Sequence, residues 1–200
     1  MGYIFYIMGK SSSGKDTIFR KLNENGELGL KNIVSYTTRP IRKGEEEGRE
    51  YHFVGLDSFE RLNEQGQVIE YRGYNTIHGM WYYFLADDGQ INLEKDSYLL
   101  IGTLEGYKSL IKYFSKEDIV PIYLEVPDGV RLQRALVREM AQPSPKYAEL
   151  CRRYLADEED FSEQKLNEEN IKNRFKNDDA NETYKLIADY IRRYMDGYKN

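Results

Sequence analysis

The sequence predicts an α/β fold in which a parallel sheet is covered by helices on both faces. Three observations predict it. The chain opens on an apolar run, a loop of glycine and serine, and a helical pattern, over residues 3–22 (YIFYIMGKSSSGKDTIFRKL). From Ser97 onward, strand-length and helix-length segments alternate, which is the pattern of a parallel sheet with helical crossovers. Between these parts, residues 37–90 read as a small β-rich insertion. Two hundred residues with 40% hydrophobic content suit one domain with a sizeable core.

Each element follows from its local pattern. Tyr3 to Met8 is apolar and of strand length. Ile18, Phe19 and Leu22 recur at helical spacing, and Gly26 and Gly29 mark a turn. Residues 31–36 (KNIVSY) predict a second strand. Residues 37–54 are polar and end in Tyr51-His52-Phe53-Val54, a loop entering a β-ribbon. Asp57 is the expected cap of a helix over 58–66. Strands follow at 68–74 and 80–86, joined by a turn at 75–79. The alternating part predicts strands at 97–102 and 118–126, a helix at 106–114, and a helix from Asp128 to Met140. Residues 141–145 (AQPSP) interrupt the helical pattern, and one long charged helix is expected over about 146–169. A last strand at 171–175, a turn at 177–179 and a helix at 182–195 complete the chain.

The opening stretch carries the first chemistry. Gly9 to Lys15 (GKSSSGK) fits the pattern G-x-x-x-x-G-K between a strand and a helix, the context of a phosphate-binding loop. Gly9 and Gly14 let successive N–H groups of Ser11, Ser12 and Ser13 turn toward phosphate oxygens. The helix N-terminus adds its positive end, and Lys15 supplies a mobile ammonium. The usual hydroxyl residue after the lysine is replaced by Asp16, with Thr17 behind it. As a hard oxygen ligand, Asp16 suits Mg²⁺. Pairing with a basic neighbour, or with the helix dipole, is the alternative.

Composition narrows the function classes. A net charge of −5 argues against a nucleic-acid partner. The single cysteine, Cys151, excludes an intramolecular disulfide and a cysteine metal site. No 18-residue apolar run is present, so no membrane span is expected. A cleaved leader at the N-terminus would remove the phosphate loop, so a cytoplasmic protein is expected. Monomer and homodimer are both open.

Residues 35–54 (SYTTRPIRKGEEEGREYHFV) resemble the guanylate kinase pattern S-x-T-T-R-x-x-R-x-G-E-x-x-G-x-x-Y-x-F. With the phosphate loop, the resemblance extends over essentially the whole chain. It implies a P-loop NTPase-type three-layer core, a nucleotide-monophosphate subdomain and a helical lid. The core is expected over 1–36, 97–136 and 168–200, the GMP-binding subdomain over about 37–90, and the lid over about 137–160. It also implies ATP as phosphoryl donor, Mg²⁺ as cofactor, and GMP or dGMP as acceptor. Arg39 and Arg42, three apart on a loop, suit the grip of one phosphate. By resemblance Arg39, Arg42 and Tyr51 hold the acceptor phosphate, and Glu45 orients an arginine or the loop. Ser35 and Glu70 match the positions that read guanine; pairing of Glu70 with Arg72 is the structural alternative. His78 sits near a tyrosine of the family, with Tyr82 or Tyr83 as substitutes for its hydroxyl, and Trp81 reads as packing.

On the lid side Arg134 and Arg138 lie four apart on one helix face. With Arg152 or Arg153 they match the arginines that the family brings to the transferring phosphoryl group, and Asn177 and Asp178 match the turn bordering adenine. Residues 100–106 (LIGTLEG) depart from the family's D-x-D-x-x-G: Ile101 and Thr103 replace the aspartates. Thr103 keeps a hydroxyl for the base, whereas Ile101 offers a metal nothing. The expectation is that Asp16 supplies the missing carboxylate. Ribose 1,5-bisphosphate phosphokinases, with a similar G-K-D loop, and guanylate-kinase-like binding modules are the competing resemblances.

Overall fold

The computed structural model describes residues 1–76 and 79–197. In chain order the elements are β1 (Ile4–Met8), α1 (Lys15–Glu24), β2 (Lys31–Asn32), β3 (Tyr36–Thr37), β4 (His52–Phe53), α2 (Leu56–Glu64), β5 (Val68–Thr76), β6 (Gly79–Ala86), β7 (Tyr98–Gly102), α3 (Leu104–Tyr113), β8 (Ile119–Glu125), α4 (Asp128–Met140), α5 (Tyr147–Asp160), α6 (Glu163–Glu168), β9 (Arg174–Lys176) and α7 (Ala180–Met195).

The core sheet has the order β2-β7-β1-β8-β9, and all its pairings are parallel. β1 lies at its centre and is buried at every residue, as a strand covered on both faces must be. Its side chains alternate between two cores. Ile4, Tyr6 and Met8 pack with Leu104, Tyr107 and Leu110 of α3 and Leu166 of α6. Phe5 and Ile7 pack with Ile18 and Leu22 of α1 and Ile187 and Ile191 of α7. These helices make the three layers. Pro121 is tolerated within β8 because β9 pairs only with Tyr123 to Glu125, which leaves β8 an edge at Pro121 on that side.

A second sheet, ordered β4-β3-β6-β5, forms the insertion. α2 covers one face, where Phe59 and Leu62 join Tyr36, Phe84 and Ala86. The long β5–β6 pairing leaves the opposite face free to line a cleft against the core sheet.

Four local expectations are corrected. Residues 31–36 are not one strand: β2 pairs with β7 in the core, and β3 pairs with β6 in the second sheet. The chain changes sheets at Ile33, which is buried in the core. The polar stretch ends not in a ribbon but in two-residue β4, which runs parallel to β3. Asp57 lies inside the first turn of α2, whose cap position is Gly55, and makes no capping bond. The long charged helix is two helices, α5 and α6. Phe161 turns inward at their junction, is 4% exposed, and packs 5.8 Å from Tyr123; burying it requires the chain to leave the helical line. The final strand consequently sits at 174–176, after Asn170 turns the chain in the left-handed region at φ 57°.

Candidate active site

The phosphate loop is held by close backbone approach. A Cβ on Gly9 would lie 2.7 Å from the Leu124 carbonyl oxygen. Gly14 has φ 85°, and a Cβ there would collide with Asn177 Nδ2. That amide donates to the Ser13 carbonyl at 2.7 Å. Asn177 is therefore buried beneath the loop. Ser13 Oγ and Asn177 Oδ1 are buried without a partner among the described residues. Ser12 adopts φ 62°. The Thr17 amide donates to the Gly14 carbonyl and continues the loop into α1.

Lys15 and Asp16 face a cavity of about 570 Å³ at the carboxyl ends of β1 and β7, between the two sheets. Neither makes an ion pair among the described residues. Ser35, Tyr51, Glu70 and Thr103 line the same cavity. So do Arg72, Tyr74 and Thr76, which alternate with Glu70 along β5 and so share one face. Trp81 and Tyr83 of β6 stand opposite Tyr74 and Arg72 and also line it, so Trp81 is a wall of the cavity rather than core packing. Tyr82 points the other way, stacked 4.3 Å from Phe59. Of the two tyrosines considered as hydroxyl donors, Tyr83 therefore faces the site. His78 lies outside the described residues.

Thr103 has a second task. Its Oγ1 accepts from the Gly106 amide at 3.2 Å and caps α3, while its carbonyl accepts from the Tyr6 hydroxyl at 2.9 Å. Ile101 lines the cavity wall and offers no ligand. The described residues contain no group of three or more His, Cys, Asp or Glu suited to a metal. Asp16 alone presents a carboxylate between Lys15 and Ile101. One carboxylate completed by substrate phosphates is a sufficient protein share for Mg²⁺.

The arginines divide into groups. Arg39 is 4% exposed. Its Nη1 and Nη2 donate to Glu45 at 2.7 and 2.6 Å, its Nη1 also to the Pro40 carbonyl, and its Nε to Tyr83 Oη at 3.0 Å. Those four bonds leave one of the five N–H donors of a guanidinium. Tyr51, Phe53 and Tyr83 enclose it, with ring centroids 5.4, 5.4 and 5.9 Å away. The fork of Arg39 is engaged by Glu45, which leaves one N–H for a phosphate. Arg42 is exposed, outside the cavity lining, and its backbone N–H donates to the same carboxylate at 2.8 Å. Arg138 Nη2 donates to Ser12 Oγ at 3.3 Å, and Arg134 Nη2 to the Asn177 carbonyl at 3.1 Å. Arg153 lines a cleft with Ser11, Ser12 and Arg138. Arg152 instead pairs with Glu149 at 2.8 Å and is 63% exposed. The structure brings Arg153 to the phosphate loop and leaves Arg152 outside.

Sequence reasoning passed over Arg131. It is 1% exposed and donates to the Ser11 carbonyl at 3.2 Å, to Asp128 at 2.7 Å and to Glu158 at 2.6 Å. Asp157 of α5 accepts the Ser11 amide at 2.7 Å, and Lys10 Nζ pairs with Glu158 at 2.8 Å. These contacts fasten α5 to the rim of the phosphate loop. Arg131, Arg134 and Arg138 recur at helical spacing on α4; that periodicity was the available signal.

The guanylate kinase family model matches residues 3–194. A guanylate kinase from Anaplasma phagocytophilum is 32% identical over 145 residues, 72% of this chain and 67% of its own length. One from Brucella melitensis is 31% identical over 137 residues, 68% of this chain and 61% of its own. The chain thus matches about two thirds or less of these relatives' length. The crystal structure of the Anaplasma phagocytophilum guanylate kinase superimposes with a TM-score of 0.60 at 25% identity, covering 96% of this chain and 86% of that one.

Proposed function

This chain belongs to the guanylate kinase family, and from that premise we propose that it transfers the γ-phosphoryl group of ATP to the phosphate of GMP. One observation carries the reading: a single cavity joins Lys15 of the phosphate loop to Ser35, Tyr51 and Glu70. Donor phosphates lie on the amides of the loop, and the acceptor lies against the face of β5.

The acceptor phosphate is already a nucleophile, so no general base is required. Catalysis is alignment and charge neutralisation. Lys15 follows the transferring group. Arg138, Arg134 and Arg153 meet it from α4 and α5 as water is excluded. Tyr51 and Tyr83 offer hydroxyls to the acceptor, with Arg39 contributing its remaining N–H and its charge from behind them. Arg42, on the exposed loop, reaches the acceptor phosphate only on closure. Glu70 accepts hydrogen bonds from N1–H and the 2-amino group of guanine, an edge that adenine lacks, while the hydroxyls of Ser35 and Thr103 border it. Asp16 is the residue to hold Mg²⁺, which when bound neutralises phosphate charge. The site belongs in the cytoplasm with its two nucleotides; among the described residues no helix is long and apolar enough to cross a membrane.

The test is ADP release from MgATP with GMP, dGMP, AMP, UMP and ribose 1,5-bisphosphate in parallel. Turnover with the guanine nucleotides alone is expected. Lys15→Met should lower it by roughly a hundredfold or more. Asp16→Ser should raise the Mg²⁺ concentration needed for half-maximal rate, and adding Ile101→Asp should restore it. Ile101, in place of a carboxylate, favours one competing reading, a sugar-bisphosphate acceptor. Turnover with ribose 1,5-bisphosphate alone would establish that reading and end this one.

A further inference from the structure

The cavity contains an arginine, Arg72, to which the proposed phosphoryl transfer assigns no role. Arg72 stands two residues after Glu70 on β5, so both side chains project from one face of the strand. It lines the same cavity as Glu70, Ser35 and Thr103. Arg72 Nη2 lies 3.4 Å from each Glu70 carboxylate oxygen. Both contacts are long beside the 2.6 Å bond of Arg39 to Glu45. Nε and Nη1 of Arg72 have no hydrogen-bond partner among the described residues. The side chain is 38% exposed against 20% for Glu70. A half-buried fork lining a cavity, with most of its donors unspent, is arranged for a ligand acceptor atom.

We propose that Arg72 is a specificity-determining residue that reads the carbonyl edge of the acceptor's base. Glu70 and Arg72 present opposite polarities side by side: a double acceptor and a double donor. An oxopurine presents the complement. Its N1–H and 2-amino group donate to the carboxylate, and its O6 and N7 accept from a guanidinium, as in bidentate arginine–guanine pairs. Adenine is opposed at both residues. Its 6-amino group would face the donor fork, and its unprotonated N1 would face the carboxylate. Discrimination then comes from repulsion of the wrong base as much as from attraction of the right one. This inference rests on the acceptor being a guanine nucleotide.

The experiment compares GMP, 6-thio-GMP and IMP as acceptors for the wild type, Arg72→Met and Arg72→Lys, by kcat/KM and by direct binding. Sulfur at position 6 weakens the acceptor that Arg72 reads and leaves the Glu70 edge intact; IMP removes only the 2-amino group. The methionine keeps the aliphatic stem, and an unchanged unfolding midpoint confirms its fold. Arg72→Met should lose roughly tenfold to a hundredfold with GMP and little with 6-thio-GMP, so that their ratio collapses. The GMP/IMP ratio and the KM for MgATP should stay as in the wild type, and Arg72→Lys should recover part of the loss. If Arg72 merely props Glu70, the GMP/IMP ratio would fall while the GMP/6-thio-GMP ratio held, and the proposal would be overturned. A wild type that binds and turns over no guanine nucleotide would remove the proposed function itself, a different failure.

Discussion

Glu45 works through its charge. Its pKa is held down at about 2, first by the hydrogen bond from Arg39, against burial that opposes it and with further help from the Arg42 amide. A carboxylate depressed below its ordinary 4.5 stabilises the fold fully above that pH and loses the contribution as pH falls from 4.5 toward 2. Acceptor binding should therefore weaken across that window, as the loop carrying Arg39 and Arg42 comes loose. Glu45→Gln should raise the KM for GMP by roughly tenfold at neutral pH, in line with the loss of a charge-assisted pair, and should flatten the acid limb. A pH profile of GMP affinity for both proteins checks it; an unchanged acid limb would place the pH sensitivity elsewhere. The Glu45 role was legible because it lies six residues from Arg39 on one short loop. The enclosure of Arg39 was not, because Tyr83 is 44 positions away and only strand pairing brings it near.

Helix α4 was readable from Asp128 to Met140 because its periodicity and its limits are local. The break between α5 and α6 was not. The segment ADEEDFSEQKLNEE is rich in helix formers but places Phe161 and Ser162, weaker ones, at the junction, where Ser162 takes the cap position of α6; burying Phe161 and Leu166 against the sheet ends the first helix there. Tertiary burial overrides propensity here, as it does at Ile33 between β2 and β3. Phe161→Ala should accordingly cost about 3 kcal/mol of stability, the usual loss for a buried aromatic, measured by urea unfolding. Should the junction survive on propensity alone, the loss would be a fraction of that figure. The same variant should raise the KM for MgATP more than that for GMP, because α5 carries Arg153 and Asp157 to the phosphate loop.

Two sheets meet across one cleft, and the proposed reaction puts each substrate on a different side of it. The placement of the cleft at the carboxyl ends of the core strands follows from strand–helix alternation alone. The ties that fasten α4 and α5 to the phosphate loop do not, since Arg131 and Asp157 each reach Ser11 from more than a hundred positions away. Arg131 binds the Ser11 carbonyl of the loop and Glu158 of α5 at once. Removing a buried guanidinium leaves Asp128, Asp157 and Glu158 close together beside Lys10 Nζ, 2.8 Å from Glu158 and 3.5 Å from Asp128. Because the partners Asp128 and Glu158 are 50% and 37% exposed, solvent screens the orphaned carboxylates, and the loss is about 1–3 kcal/mol. Arg131→Met should therefore lower global stability by an amount of that order and loosen α5 from the loop. Because Arg131 touches neither β5 nor β6, which wall the proposed acceptor side of the cavity, GMP affinity should hold while MgATP affinity falls. Calorimetric titration of each nucleotide separates the effects. Equal losses for both nucleotides would mean that Arg131 supports the fold as a whole, and unchanged MgATP affinity would mean that α5 keeps its place through Asp157 and Ser11 alone.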